Sequence, residues 1–179
     1  MQTHPVYSII IPFYNRAWCV HRAINSAIEA IRHTDIPTEI LLINDGSTDE
    51  SMDVCKQVIQ NNLQTPNITI RIIQHHRNLG VCASKNTGAR SAAGKWLIFL
   101  DSDDEMLASS ISNITDRLSK NENIPVHFFA STLNHNYYEN VELESEVVSL
   151  KRYLNSGVGF EAMPVILRET FVKYLYDED

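Results

Sequence analysis

Apolar positions follow two alternating rhythms along the first hundred residues. Tyr7 to Ile11 is a short, largely apolar run of strand length, closed by Pro12, which has no N–H to give to a ladder. Val20, Ala23, Ile24, Ala27, Ile28 and Ile31 then recur at steps of three and one, the apolar stripe of a helix. After Pro37 the strand rhythm returns at Glu39 to Ile43, followed by a polar loop, Asn44 to Asp49, and a helix near Ser51 to Asn61. Ser47 and Glu50 have the spacing of a capping box for that helix. Ile68 to Ile73 is a third strand, and about Cys82 to Ala92 a third helix, built from small residues suited to close packing and ended by Gly94. Trp96 to Leu100 is the fourth strand.

This order, strand and helix in strict alternation, predicts parallel strands joined by right-handed crossovers, with helices on both faces of the sheet. Ligands of such sheets bind outside the carboxyl ends of the strands. The loops Pro12 to Arg16, Asn44 to Asp49 and Asp101 to Glu105 all leave carboxyl ends, so three polar loops meet on one edge. Past Glu105 the pattern is weaker. Ile111, Ile114 and Leu118 predict a helix, Val126 to Leu133 a strand, Asn134 to Glu146 a polar loop or exposed hairpin, and Ser156 to Gly159 a flexible turn facing the site. Val165 to Leu167 reads as a short strand and Glu169 to Leu175 as a last short helix.

Composition narrows the classes. A chain of 179 residues with 44% hydrophobic and 21% charged positions is long enough to bury one sizeable core. A net charge of -7 argues against sequence-independent nucleic-acid binding, which needs Lys and Arg. No apolar run approaches the roughly 20 residues that span a bilayer, so no membrane span is predicted in this chain. His4 and Pro5 interrupt what could otherwise open as a leader. Cys19, Cys55 and Cys82 are odd in number and lack zinc spacing, which reads as free thiols in a reducing compartment.

The chemistry lies in the loops. Asp101-Ser102-Asp103-Asp104-Glu105 places four carboxylates directly after a core strand. Like charges so close must lie at a solvated edge or hold a cation, and two aspartates spaced Asp-x-Asp can turn toward one hard divalent ion. An acidic loop capping the next helix through Asp103 or Asp104 has the same sequence. In the first loop, Phe13 is expected in the core and Tyr14 at the mouth of the sheet, where its ring can stack on a nucleobase. Asp45 can accept a hydrogen bond from a base imide or a sugar hydroxyl, or simply form the turn before Gly46. Ser47 and Asp49 read as helix caps, and Arg77, Lys85 and Arg90 as cations that offset phosphate. The bulky first loop, Pro12 to Arg16, has no Gly-x-Gly-x-x-Gly, which excludes direct backbone cradling of a pyrophosphate.

Four segments in order carry a family resemblance: Ser8-Ile9-Ile10-Ile11-Pro12-Phe13-Tyr14-Asn15; Leu41-Leu42-Ile43-Asn44-Asp45-Gly46-Ser47-Thr48-Asp49; Asn78-Leu79-Gly80 with Lys85-Asn86-Thr87-Gly88; and Phe99-Leu100-Asp101-Ser102-Asp103-Asp104. Together they resemble the family 2 glycosyltransferases of the GT-A fold, an α/β, Rossmann-like, mostly parallel sheet. The resemblance implies one glycosyltransferase domain over residues 1–179, with 1–105 the nucleotide-sugar-binding half and 106–179 a partial acceptor-side half, truncated at the C-terminus. It implies transfer of a hexose from a nucleotide-diphosphate sugar, most often a UDP-sugar, to a saccharide or lipid-linked acceptor with inversion and with Mn²⁺ or Mg²⁺. Its implied nucleotide-binding residues are Pro12, Tyr14, Asn15, Asp45, Lys85 and Asp101, and its metal residues are Asp103 and Asp101. Asn44 and Lys85 stand where Asp and Arg are frequent in the family. The family's general base lies in a later Glu-Asp-type segment. Here Arg168-Glu169-Thr170-Phe171 and Tyr176-Asp177-Glu178-Asp179 resemble the stretches that precede it, so Asp177 and Asp179 are weak candidates and the base segment itself is expected to be missing. The implied location is the cytoplasm, free or at the inner face of a membrane. A non-catalytic nucleotide-sugar-binding domain without a base is the alternative reading.

Overall fold

The computed structural model describes residues 4–62, 65–120, 124–130 and 162–176. Strands β1 (Tyr7–Phe13), β2 (Thr38–Asn44), β3 (Ile68–Gln74) and β4 (Trp96–Phe99) alternate with helices α1 (Val20–Arg32), α2 (Ser51–Asn61) and α3 (Val81–Ser91). Helix α4 (Ser110–Lys120), strands β5 (Val126–Ala130) and β6 (Ala162–Leu167) and helix α5 (Arg168–Tyr174) complete the described elements. The six strands form one sheet in the order β3-β2-β1-β4-β6-β5, with β1 to β4 mutually parallel and β6 antiparallel to both β4 and β5. The chain leaves β1 toward β2 and β3, then returns to the other side of β1 with β4. The carboxyl ends of β1 and β4 therefore flank the switch point, where such sheets open a crevice.

Alternation along the strands divides the core in two. Ile9, Ile11 and Phe13 of β1, Ile40 and Leu42 of β2 and Ile98 of β4 face α1, α2 and α4, whose Ile24, Ile28, Cys55, Val58, Ile111 and Ile114 close that layer. Ile10, Leu41, Ile43, Leu97 and Phe99 face the other way, against Ala89 of α3 and Phe171 of α5. β1 and β2 are buried on both faces at every position, as a sheet covered by helices on either side requires. β3, an edge strand, is exposed at Thr69 and Arg71 and only half-buried at Ile68, Ile70 and Ile72. Helix α3 lies close on β1: a Cβ added at Gly88 would overlap Ile10 Cγ2.

Two expectations about local structure change. Pro12 does not stop β1, which continues through Pro12 and Phe13 in register with Ile43 and Asn44 of β2. The reason is directional. The Ile10 carbonyl points toward β4 and accepts from Leu100 N (3.0 Å), and residues two apart point the same way. The missing N–H of Pro12 thus faces the β4 side, beyond the last β4 partner at Phe99, where no ladder is lost. The capping box also does not form. Glu50 is the N-cap of α2 without a side-chain bond, and Asp49 Oδ1 instead accepts from Ser51 N (3.0 Å). Ser47 Oγ is turned to the first loop, where it accepts from Asn15 N (3.0 Å). Of the weaker second half, α4, β6 and α5 form where the apolar pattern places them, and β5 is described as far as Ala130. The stretches Asn134 to Glu146 and Ser156 to Gly159 lie outside the described residues.

Candidate functional site

Three loops meet at the carboxyl edge, and hydrogen bonds sew the first two together. The first loop turns at Asn15 with φ +52°, a left-handed conformation that asparagine tolerates better than most residues. Its side-chain Oδ1 accepts from Thr48 N (2.8 Å) and Asp49 N (3.4 Å). Arg16 N donates to Ser51 Oγ (2.7 Å) and Ala17 N to Asp49 Oδ2 (3.1 Å). Asp49 accordingly serves as a junction between loops: burial alone would raise its carboxyl, but the bonds from Ser51 and Ala17 outweigh that and hold it low. Phe13 is buried and Tyr14, next in the chain, is 38% exposed, as their sequence context predicts. Pro12 is buried inside β1, so it can offer a ligand only its main-chain carbonyl.

Asp45 ends β2 inside the protein. Its Oδ1 accepts from His75 Nδ1 (2.7 Å) and Leu79 N (2.9 Å), and its Oδ2 from Gly80 N (2.9 Å). The other nitrogen of His75 lies 2.9 Å from Thr87 Oγ1 on α3. The loop after β3 is thereby pinned to the loop after β2. Gly46 (φ +73°) allows the approach, since a Cβ there would stand 2.5 Å from the Arg77 carbonyl carbon. Asn44, standing where Asp is frequent, is buried and keeps a structural bond, accepting from Ser47 N (2.9 Å).

The third loop is unlike the other two. Asp101, Asp103, Asp104 and Glu105 are all exposed. Lys85 Nζ, reaching over from α3, pairs with Asp101 Oδ1 at 3.0 Å, and Glu105 turns to Arg22 of α1 at 3.6 Å. Burial first, and then the charge of Asp103, push the Cys19 thiol up. Desolvation, then the charges of Asp101 and Asp103, push the Asp104 carboxyl above the ordinary aspartate range, with Lys85 acting the other way. This is an excess of hard oxygen donors with too little positive charge among them, the donor chemistry that suits Mg²⁺ or Mn²⁺. Among the described residues no group of three or more His, Cys, Asp or Glu side chains gathers to enclose a metal. The residues present fit an open site, in which Asp103 and Asp101 would supply protein oxygens and phosphate and water the rest.

Helix α3 organises the crevice from the far side. Lys85 stands 6.0 Å from the centre of the Tyr176 ring. Asn86, buried one residue on, donates to the Tyr176 carbonyl (2.9 Å) and accepts from Tyr176 N (2.8 Å). The residue that follows α5 and Leu175 is thus clamped beside Lys85 and Asp101. The structure brings together Tyr14, Asn15, Asp45, Lys85, Asp101 and Asp103 on one edge; Asp177 and Asp179 lie outside the described residues. His75 and Asn86 were not legible as site residues in the sequence. The available signal was a polar residue in a setting that should be apolar or small: a histidine directly after an Ile-rich strand, and an asparagine in the face of a helix of small residues. Cys19 and Cys55 are buried free thiols and Cys82 is half-buried, the Cys55 thiol being pushed up to about 12, chiefly by burial and then by Asp49. A hollow lined by Asp35, Pro37, Asn62 and Asn67 lies at the amino ends of β2 and β3, the opposite edge from this chemistry.

Comparison with known proteins gives the family and the fold. The chain is 30% identical over 118 residues to EpsJ of Bacillus subtilis, an uncharacterised glycosyltransferase, covering 66% of this chain and 32% of that protein. It is 28% identical over 179 residues to an uncharacterised glycosyltransferase of Haemophilus influenzae, covering 96% of this chain and 65% of the relative. The chain therefore spans between about a third and two thirds of the length of these relatives. Among solved structures, a mannosyltransferase from Pyrobaculum calidifontis in complex with GDP-Man and Mn²⁺ superposes with a TM-score of 0.73 at 16% identity, over 99% of this chain and 49% of that one. Staphylococcus aureus TarS 1–349 in complex with UDP superposes with a TM-score of 0.60 at 20% identity, over 69% of this chain and 35% of that one. At these identities the two superpositions establish the GT-A fold. The sequence model described as glycosyl transferase family 2 matches residues 8–172, a span that begins in β1, ends in α5 and takes in every loop of the crevice. On that match the chain belongs to glycosyl transferase family 2.

Proposed function

We propose that this chain is the donor-binding part of a glycosyltransferase that moves a hexose from a nucleotide-diphosphate sugar, with UDP as its nucleotide, to a saccharide or lipid-linked acceptor with inversion. Residues 1–105 form the donor half and 106–179 part of the acceptor side. The observation that carries this reading is the division of labour on one sheet edge: an exposed ring at Tyr14, a recessed carboxylate at Asp45, and an open acidic loop at Asp101 to Asp104. Tyr14 stacks on the base and Asp45 takes the hydrogen of its imide. Relatives of this fold hold UDP in one case and GDP-Man with Mn²⁺ in another, which supports a nucleotide sugar in this crevice.

Transfer breaks the bond between the anomeric carbon and the diphosphate, so negative charge grows on the departing phosphate. A divalent ion held by Asp103 and Asp101 would neutralise that charge when bound. Lys85 adds a fixed cation at the same place, already oriented by Asp101 at 3.0 Å. An inverting attack also needs a carboxylate across the anomeric carbon to take the acceptor's proton.

Titration of UDP into the protein by calorimetry, with Mn²⁺ and without, tests the reading. Binding is expected to depend on Mn²⁺ and to weaken in Tyr14→Ala by the ~1–3 kcal/mol that a stacked base contributes. Equal affinity with and without the metal, or an unchanged Tyr14→Ala variant, would overturn it.

A further inference from the structure

The bonds around Asp45 point to a residue that sets nucleotide preference without touching the nucleotide. A carboxylate has about four lone-pair sites, two on each oxygen. On Asp45, Oδ1 takes His75 Nδ1–H (2.7 Å) and Leu79 N–H (2.9 Å), which fills it, and Oδ2 takes Gly80 N–H (2.9 Å). One acceptor site is left, on Oδ2. The two side chains are only 5% and 9% exposed, so solvent does not scramble the arrangement.

We propose that His75 is a positioning residue: by saturating Asp45 Oδ1 it leaves a single, fixed acceptor for the base, and so favours a base with an imide N–H over one without. The inference rests on the reading of Asp45 as the base contact. Uracil presents N3–H to that acceptor, whereas cytosine presents an N3 lone pair, which meets the carboxylate with repulsion. The ring of His75 is itself held at both ends. Because a carboxylate can only accept, Nδ1 carries the hydrogen, and in the neutral ring Nε2 accepts from the Thr87 hydroxyl at 2.9 Å. Thr87 lies two residues beyond Lys85 on α3, so the histidine ties the base end of the crevice to the helix that carries the phosphate-side cation. Without the Nδ1–H, Oδ1 regains a free lone pair. The carboxylate can then present more than one acceptor, and a base offering only its exocyclic amino group gains a partner.

Histidine's two nitrogens can be separated by substitution. Asparagine keeps a donor near the Nδ1 position, and glutamine keeps a polar group near Nε2. Affinities for UDP and CDP are to be measured by calorimetry with Mn²⁺ on the parent, His75→Asn, His75→Gln and Thr87→Val. The parent is expected to prefer UDP. His75→Gln should lower the UDP-to-CDP preference by about tenfold, the scale of one hydrogen bond. His75→Asn should restore most of it, and Thr87→Val should lower it by about threefold while leaving the Asp45 bond in place. A histidine that served the fold alone would weaken both nucleotides together and leave their ratio untouched; that result, or equal ratios in His75→Gln and His75→Asn, overturns the proposal. If His75→Gln does not fold, an unchanged ratio in Thr87→Val overturns it on its own. A parent that binds UDP and CDP equally overturns the reading of Asp45 as the base contact, and the role of His75 with it.

Discussion

The loops after β2 and β4 both end parallel strands in aspartate, yet they treat the carboxylate in opposite ways. Asp45 is 4% exposed and meets two backbone amides and an imidazole. Asp103 and Asp104 are exposed, and Asp104 feels chiefly desolvation and its own like-charged neighbours. The first carboxylate is paired by the protein at all but one of its acceptor sites and contributes to holding the protein together. The second group is satisfied by nothing the chain itself supplies in full. A carboxylate paired from within organises a site, and one left in excess is available to a cation from outside. Strand β2 repeats the first pattern at its other end, where Glu39, 4% exposed, accepts from Ser8 Oγ (2.6 Å), Ala93 N (2.5 Å) and Arg71 Nη2 (2.8 Å).

If this contrast is right, substitutions should separate stability from binding. The largest effect on unfolding is expected from Asp45→Ala. It removes the acceptor of the Leu79 amide and of His75 Nδ1, while the Gly80 amide keeps Asn78 Oδ1 at 2.9 Å, and an unpaired buried polar group costs about 1–3 kcal/mol. A loss of about 2–4 kcal/mol in denaturant unfolding is expected, and a loss below 1 kcal/mol would show that the loop re-pairs without its carboxylate.

Glu39→Gln comes next. Burial alone would raise the Glu39 carboxyl, but the bonds from Ser8, the Ala93 amide and Arg71 outweigh it and hold it below the usual glutamate range. A carboxyl lowered on folding contributes stability that is present above its unfolded value of about 4.3 and is lost as pH falls through the folded value. The variant should be less stable than the parent at pH 7 by about 1–2 kcal/mol, and the two curves should converge in acid. Parallel curves down to pH 2 would remove Glu39 from the set of internally paired carboxylates.

Asp103→Asn should have the smallest effect on the fold, within about 0.5 kcal/mol, as exposed substitutions usually do. It should nonetheless lose most of the Mn²⁺ dependence of UDP binding, read by calorimetry in parallel with thermal unfolding. A variant that unfolds early, or that keeps the parent's metal dependence, would erase the distinction between the two loops.

Much of this edge was legible because apolar strands are hard to disguise. The runs at Tyr7 to Ile11, Glu39 to Ile43 and Trp96 to Leu100 fixed the loops' places, and the exposed Tyr14 beside buried Phe13 followed from where β1 runs out. What stayed hidden was partnership. Ser47 and Glu50 have capping-box spacing, but spacing within four residues cannot show that Ser47 meets Asn15, 32 positions away. His75 stands 30 positions from Asp45, and Asn86 stands 90 from Tyr176. Bonds over such separations depend on sheet order, which the apolar pattern leaves open. Pro12 shows the same limit: whether a proline ends a strand depends on which neighbour its missing hydrogen would have faced.

Gly88 carries a consequence beyond packing. Because it has no side chain, α3 rests directly on Ile10 of β1, and Lys85 sits three residues earlier on the same helix. The height of the lysine above the strand ends is thus gauged by the absence of one methyl group. An alanine there would have to displace the buried Ile10 side chain or lift the helix, and with it the backbone from which Lys85 reaches Asp101. The level of this cation's backbone is set by packing on β1.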